Sequence, residues 1–151
     1  MKKNTTLSFF LLLPLLTGVF AAEKNIIFLI TDDQSPTLGC YGNPIAKTPA
    51  IDALAEDGTL FQNAFATTAS CSASRSVVMS GLHNHANGQY GHQHSFHKFS
   101  SYFNVIGLSL PRNLSEAGYR TGHIGKYHVS PEEVFRFETY LKGNPRNAVQ
   151  M

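Results

Sequence analysis

The sequence predicts an α/β domain, a mostly parallel sheet sandwiched by helices, on three observations. Apolar runs of strand length alternate with segments of helical periodicity. The first run is continuous rather than alternating, as in a strand covered on both faces. Charged side chains fall where such runs stop, the edge at which ligands gather in open parallel sheets. The composition suits a globular fold, since 151 residues with 42% hydrophobic and 15% charged side chains exclude disorder, collagen and coiled coil. Twelve Lys and Arg stand against ten Asp and Glu. Without Lys2 and Lys3 the two signs balance, so no basic field points to nucleic acid.

The elements follow in order. Residues 1–21 read as a cleaved export signal, with a short basic start, an apolar run from Leu7 to Phe20 and small residues at the cleavage spacing. That run is shorter than the roughly 20 residues a spanning helix needs, so no stable membrane anchor is expected. The mature chain would begin near Ala22, exported to a periplasmic or extracellular compartment, or a lysosome in a eukaryote. Asn25 to Thr31 reads as a buried strand ending at Asp32-Asp33. Thr48-Pro49 opens a short helix that stops at Gly58, Leu60 to Ala66 reads as extended, and Ser74 to Ser80 reads as a helix closed by Gly81. Leu82 to Tyr102, rich in His, Gly, Asn and Ser, reads as a long loop near a site. Leu110 to Ala117 reads as a helix stopped by Gly118, and Tyr119 to Gly125 as a strand delivering Lys126 and His128. Pro131 to Met151 starts new elements without completing another strand, helix and strand, and so reads as an interrupted domain.

Two features carry candidate chemistry. Adjacent carboxylates at Asp32 and Asp33 repel unless a cation sits between them, and a hard divalent ion is the natural partner; a solvated turn is the other reading. Cys71, at a helix entrance near Arg75, reads as a nucleophilic or redox-active thiol, or as a small buried hydrophobe beside a surface Arg. Five histidines, His83, His85, His92, His94 and His97, crowd one stretch. With no Cys or carboxylate among them, a polar loop facing substrate is preferred to a Zn²⁺ or Cu²⁺ site.

Taken together the pieces form a family pattern. Asp32-Asp33, Gly39-Cys40-Tyr41-Gly42, Thr48-Pro49, Phe61 to Ala66, Cys71-Ser72-Ala73-Ser74-Arg75 and Gly125-Lys126-Tyr127-His128 resemble, in content and order, the N-terminal part of the type I sulfatases. The runs Ser80 to Gly91 and Thr121 to Val129 look most like the heparan N-sulfatase, or sulfamidase, branch. The resemblance implies an alkaline-phosphatase-like fold, of which residues 22–151 would be the N-terminal portion. It implies that Cys71 is oxidised to formylglycine by a maturation enzyme, and that the aldehyde hydrate is the nucleophile. Asp32, Asp33 and residue 71 would ligate one Ca²⁺. Arg75 would hold the hydrate, Lys126 the sulfate oxygens, and His128 a hydroxyl of the hydrate. A sulfated saccharide would be the substrate, through its sulfate ester or sulfamate. The remaining metal ligands of the family lie farther along than Met151, so these residues alone are expected to be inactive.

Two departures stand out. Ala73 replaces the commoner Pro, which bears on the maturation enzyme, and Met79-Ser80-Gly81-Leu82 lacks the usual Arg, as the sulfamidase branch does. A Cys40–Cys71 disulfide would remove the nucleophile. The alternatives are a phosphonate or phosphate ester hydrolase of the same superfamily, and a noncatalytic metal- or carbohydrate-binding module.

Overall fold

The computed structural model describes residues 24–93, 96 and 98–143. The export signal, His94, His97 and the final residues lie outside the described residues. Helix α1 (Pro49–Asp57), α2 (Cys71–Ser80), α3 (Asn84–Asn87) and α4 (Leu110–Glu116) precede strands β1 (Gly122–Ile124) and β2 (Thr139–Leu141). Short 3-10 turns occupy Gly39–Tyr41 and Phe103–Leu108.

The chain divides into two compact units, residues 1–31 and 32–151. The described part of the first, residues 24–31, forms no regular element, and Ile27 and Leu29 are 84% and 79% exposed. The expected strand from Asn25 to Thr31 is therefore not formed. A strand is a pairing, and among the described residues none offers this run a partner ladder. Leu60 to Ala66 likewise forms no strand. The parallel sheet of the second unit has two strands, Gly122 opposite Thr139, His123 opposite Tyr140 and Ile124 opposite Leu141. It agrees with the expected parallel α/β class, on a smaller scale than the sequence led us to expect.

The helices lie close to their expected bounds. Pro49 opens α1, where its missing N–H costs nothing. Thr48 is the N-cap residue of that helix, but the Thr48 side chain makes no capping bond. Its hydroxyl instead accepts the Gly39 N–H and donates to Asp52, whose carboxylate also accepts the Cys40 N–H at 2.7 Å. A Cβ on Gly39 would lie 2.5 Å from Asp52 Oδ2, so glycine admits this close approach. Helix α2 starts three residues earlier than the periodicity suggested and ends at Gly81, whose φ of 67° only glycine adopts without strain. Its N–H closes on the Val77 carbonyl at 2.8 Å.

The apolar core is small. Met79 of α2 packs with Val105, Val129, Val134 and Phe135, flanked by Leu82, Ile106, Tyr127 and Phe137. This core joins α2 to the segment after β1, and so fixes the two stretches that carry the candidate site. Beside it lies a polar layer. Ser72, Ser76, Asn87 and Gln89 are fully buried. Asn87 Nδ2 faces Ser76 Oγ, Ser80 Oγ and the Leu82 carbonyl at 3.0 to 3.2 Å, and Asn87 Oδ1 accepts the Gln89 N–H at 2.9 Å. Gln89 Nε2 donates to the Phe99 carbonyl. The long loop is thus pinned beneath α2, and α3 forms within it.

Candidate active site

Three stretches of the second unit carry the candidate residues. Asp32 and Asp33 begin it, Cys71 and Arg75 lie on the first turns of α2, and Lys126 and His128 follow β1. Donor atoms of Asp32, Asp33 and Cys71 all lie within 4.8 Å of one another, the one such cluster of three among the described residues. Cys40 and Cys71 are both free thiols.

The electrostatics centre on Asp32. Lys126 Nζ lies 2.6 Å from Asp32 Oδ2, and Arg75 Nη2 lies 3.7 Å from Oδ1. The hydrogen bond from Lys126 is the main reason that the Asp32 carboxyl titrates below its ordinary range, against a smaller opposing effect of burial. The same bond raises Lys126, with the nearby Cys71 adding to the shift. Both groups are part-exposed, so solvent screens the pair. Arg75 is more firmly held. Its side chain is 8% exposed and its Nη1 donates to the Lys126 carbonyl at 2.8 Å. One guanidinium therefore touches both the carboxylate and the backbone that presents the ammonium.

Asp33 and His128 share an uncommon backbone, with φ of 52° and 54° in the left-handed region that non-glycine residues seldom adopt. In each case the conformation lies within the convergent site, where such departures concentrate. His128 Nε2 lies 3.1 Å from the Gln93 carbonyl, and the Gln93 N–H donates to Ser72 Oγ at 3.0 Å. Gln93 thereby links the imidazole to the residue beside Cys71. The His128 ring also stacks on His92, with centroids 6.2 Å apart.

Of the residues that sequence reading brought forward, Asp32, Asp33, Cys71, Arg75 and Lys126 come together here, and His128 is joined to this group through Gln93 and Ser72. Sequence reading missed Ser72, Asn84 and Gln93, which hold the site through backbone groups. For Asn84 and Gln93 the one signal was the polar richness of the stretch from Leu82 to Tyr102, and for Ser72 its place beside Cys71. Of the five clustered histidines, His83 and His85 stack on each other with centroids 5.7 Å apart.

Comparison with known proteins gives the family. The Sulfatase family model matches residues 24–150. The chain is 46% identical over 118 residues to human N-sulphoglucosamine sulphohydrolase, covering 78% of this chain and 23% of that protein. It is 37% identical over 111 residues to N-acetylglucosamine-6-O-sulfatase of Bacteroides thetaiotaomicron, covering 73% and 19% respectively. It is 34% identical over 134 residues to an ulvan-active sulfatase of Formosa agariphila, covering 88% and 26%. The chain spans about a fifth to a quarter of the length of these curated relatives. The chain belongs to the sulfatase family, and its likeness is to the sulfamidase branch.

Proposed function

We propose that residues 22–151 are the N-terminal portion of an exported sulfatase that cleaves sulfate esters or sulfamates of saccharides, with residue 71 as its nucleophile. The observation that supports this is the gathering of Asp32, Asp33, Cys71, Arg75 and Lys126 in a chain of this family. In this reading Cys71 is oxidised after translation to formylglycine by a maturation enzyme, and the aldehyde hydrates.

The hydrate explains the residue types. A serine attacking sulfur would be left as a stable sulfate ester. A gem-diol has a second hydroxyl: one hydroxyl gives up its proton to a base as its oxygen attacks sulfur, the bond from sulfur to the saccharide oxygen or nitrogen breaks, and the departing atom takes a proton from an acid. The other hydroxyl then loses its proton, the carbon–oxygen double bond forms again, and sulfate leaves. Arg75 and Lys126 offset the charge on the sulfuryl oxygens, and His128 hydrogen-bonds the hydroxyl that is not attacking. Arg75 also sets where Lys126 stands, through the Lys126 carbonyl.

The donor set fits a hard cation once residue 71 is modified. Two carboxylates and a sulfur make a mixed set, whereas two carboxylates and a hydrate oxygen make an all-oxygen set suited to Ca²⁺. Asp32, Asp33 and residue 71 would hold one such ion, which when bound supplies positive charge facing the sulfuryl oxygens.

The test is direct. The protein encoded by the full gene, made in a host with a maturation enzyme, should carry formylglycine at residue 71 by peptide mass spectrometry. It should release sulfate from sulfated or N-sulfated sugars, and Cys71→Ala should lower turnover by at least about a thousandfold. An intact thiol in active enzyme, or full turnover by Cys71→Ala, would overturn the reading.

A further inference from the structure

We infer that Asn84 is a positioning residue for the nucleophile at residue 71, an inference that rests on the function proposed above. Its side chain spans the turn that carries Cys71. Asn84 Nδ2 donates to the Ala73 carbonyl at 2.9 Å and to the Gln89 carbonyl at 2.7 Å, while Thr68 Oγ1 donates to Asn84 Oδ1. The two carbonyls only accept, so the amide has one orientation, nitrogen toward Ala73 and Gln89 and oxygen toward Thr68. Thr68 lies three residues before Cys71 and Ala73 two after it. One amide therefore braces both flanks of the nucleophile and ties them to the long loop.

A second observation shows why the brace is needed. Ser70 is the N-cap of α2, yet its side chain makes no capping bond, and its buried Oγ finds no hydrogen-bond partner among the described residues. A helix normally fixes its first turn through that cap. Here the fixing comes from outside the helix, through Asn84. The Ala73 carbonyl also accepts the Ser76 hydroxyl at 2.8 Å, so the first turn is held from two sides. Residue 71 must meet Asp32, Asp33 and Lys126 at once, and a small tilt of its turn separates them.

Asn84→Asp tests this with nearly the same shape, because it turns an oxygen toward two carbonyls in place of a donor. Thr68→Val removes the third contact and serves if Asn84→Asp fails to fold. In the full-length enzyme, kcat per formylglycine at residue 71 should fall on the order of tenfold to a hundredfold, with KM nearly unchanged. The formylglycine content is read by mass spectrometry. A lowered melting temperature with kcat unchanged would make Asn84 a structural residue only and overturn the inference.

A readout that does not need turnover uses the unmodified protein. Iodoacetamide should label Cys71 about threefold faster or more in both variants, as the loosened turn opens, with Cys40 unchanged as internal control. Unchanged labelling of Cys71 in both would also overturn the inference. If the parent enzyme releases no sulfate while labelling still rises, the proposed function fails and the brace stands.

Discussion

Helices α1 and α2 look alike in sequence and are held in opposite ways. Each follows a hydroxyl residue, Thr48 or Ser70, and each stops at a glycine. Helix α1 carries the stronger apolar stripe, yet none of its nine residues is buried, and Leu54 is 66% exposed. Helix α2 buries six of its ten residues, and four of those are polar: Ser72, Arg75, Ser76 and Ser80. Apolar periodicity reveals which face seeks cover, but not what covers it. The helix bearing the candidate nucleophile is fixed mainly by directed bonds, in which each buried group left unpaired costs about 1 to 3 kcal/mol. Directed bonds set orientation as well as depth, and a nucleophile needs both.

The sharpest way to break the contrast is at Arg75. Arg75→Lys keeps the charge but cannot reach Asp32 and the Lys126 carbonyl together, and should lower kcat of the full-length enzyme on the order of a hundredfold to a thousandfold. Sulfate release measures it, and near-normal turnover would show that the guanidinium fork is dispensable. Asn87→Leu should come next, because it strips partners from Ser76, Ser80 and the Leu82 carbonyl. Urea unfolding should show a loss of about 2 to 4 kcal/mol, with the slope unchanged.

A smaller effect is expected at Tyr127, which joins the core to the segment bearing Lys126 and donates to the Phe135 carbonyl at 2.7 Å. Burial, assisted by Glu132, raises its phenol well above the ordinary value of 10.0. The folded state therefore favours the neutral phenol, and this contribution is complete below pH 10.0 and is lost as pH climbs toward the raised value. Tyr127→Phe should cost about 1 kcal/mol at neutral pH, and its gap to the parent should narrow in alkali. Unfolding curves at several pH values would show a constant gap if the phenol plays no such part. Smallest of all, Leu54→Ala in α1 should change stability by less than about 0.5 kcal/mol, because the side chain stands in solvent. A large loss there would mean that α1 is anchored after all.

What could be read from the sequence was whatever depends on neighbours along the chain. Pro49, Gly81 and Gly118 marked helix ends, and Lys126 and His128 followed β1 as the pattern of apolar residues suggested. The run from Asn25 to Thr31 misled, since its residues have strand character but a strand exists only through a partner. The contacts beneath α2 were invisible for a related reason. Asn84, Asn87 and Gln89 look like ordinary loop residues, and only folding turns the first two amides toward α2 and the third toward the Phe99 carbonyl. Asp32 and Lys126 stand 94 positions apart, so residue types could name them as a pair only through the family pattern.

Lys126 is used twice, its ammonium on Asp32 and its carbonyl under Arg75. Mutagenesis can erase the first use and leave the second untouched, since every amino acid brings the same carbonyl. Position 126 is therefore a place where the charge of one cation can be deleted while the scaffold keeps its rivet, a separation that Arg75, with both contacts in one side chain, does not allow.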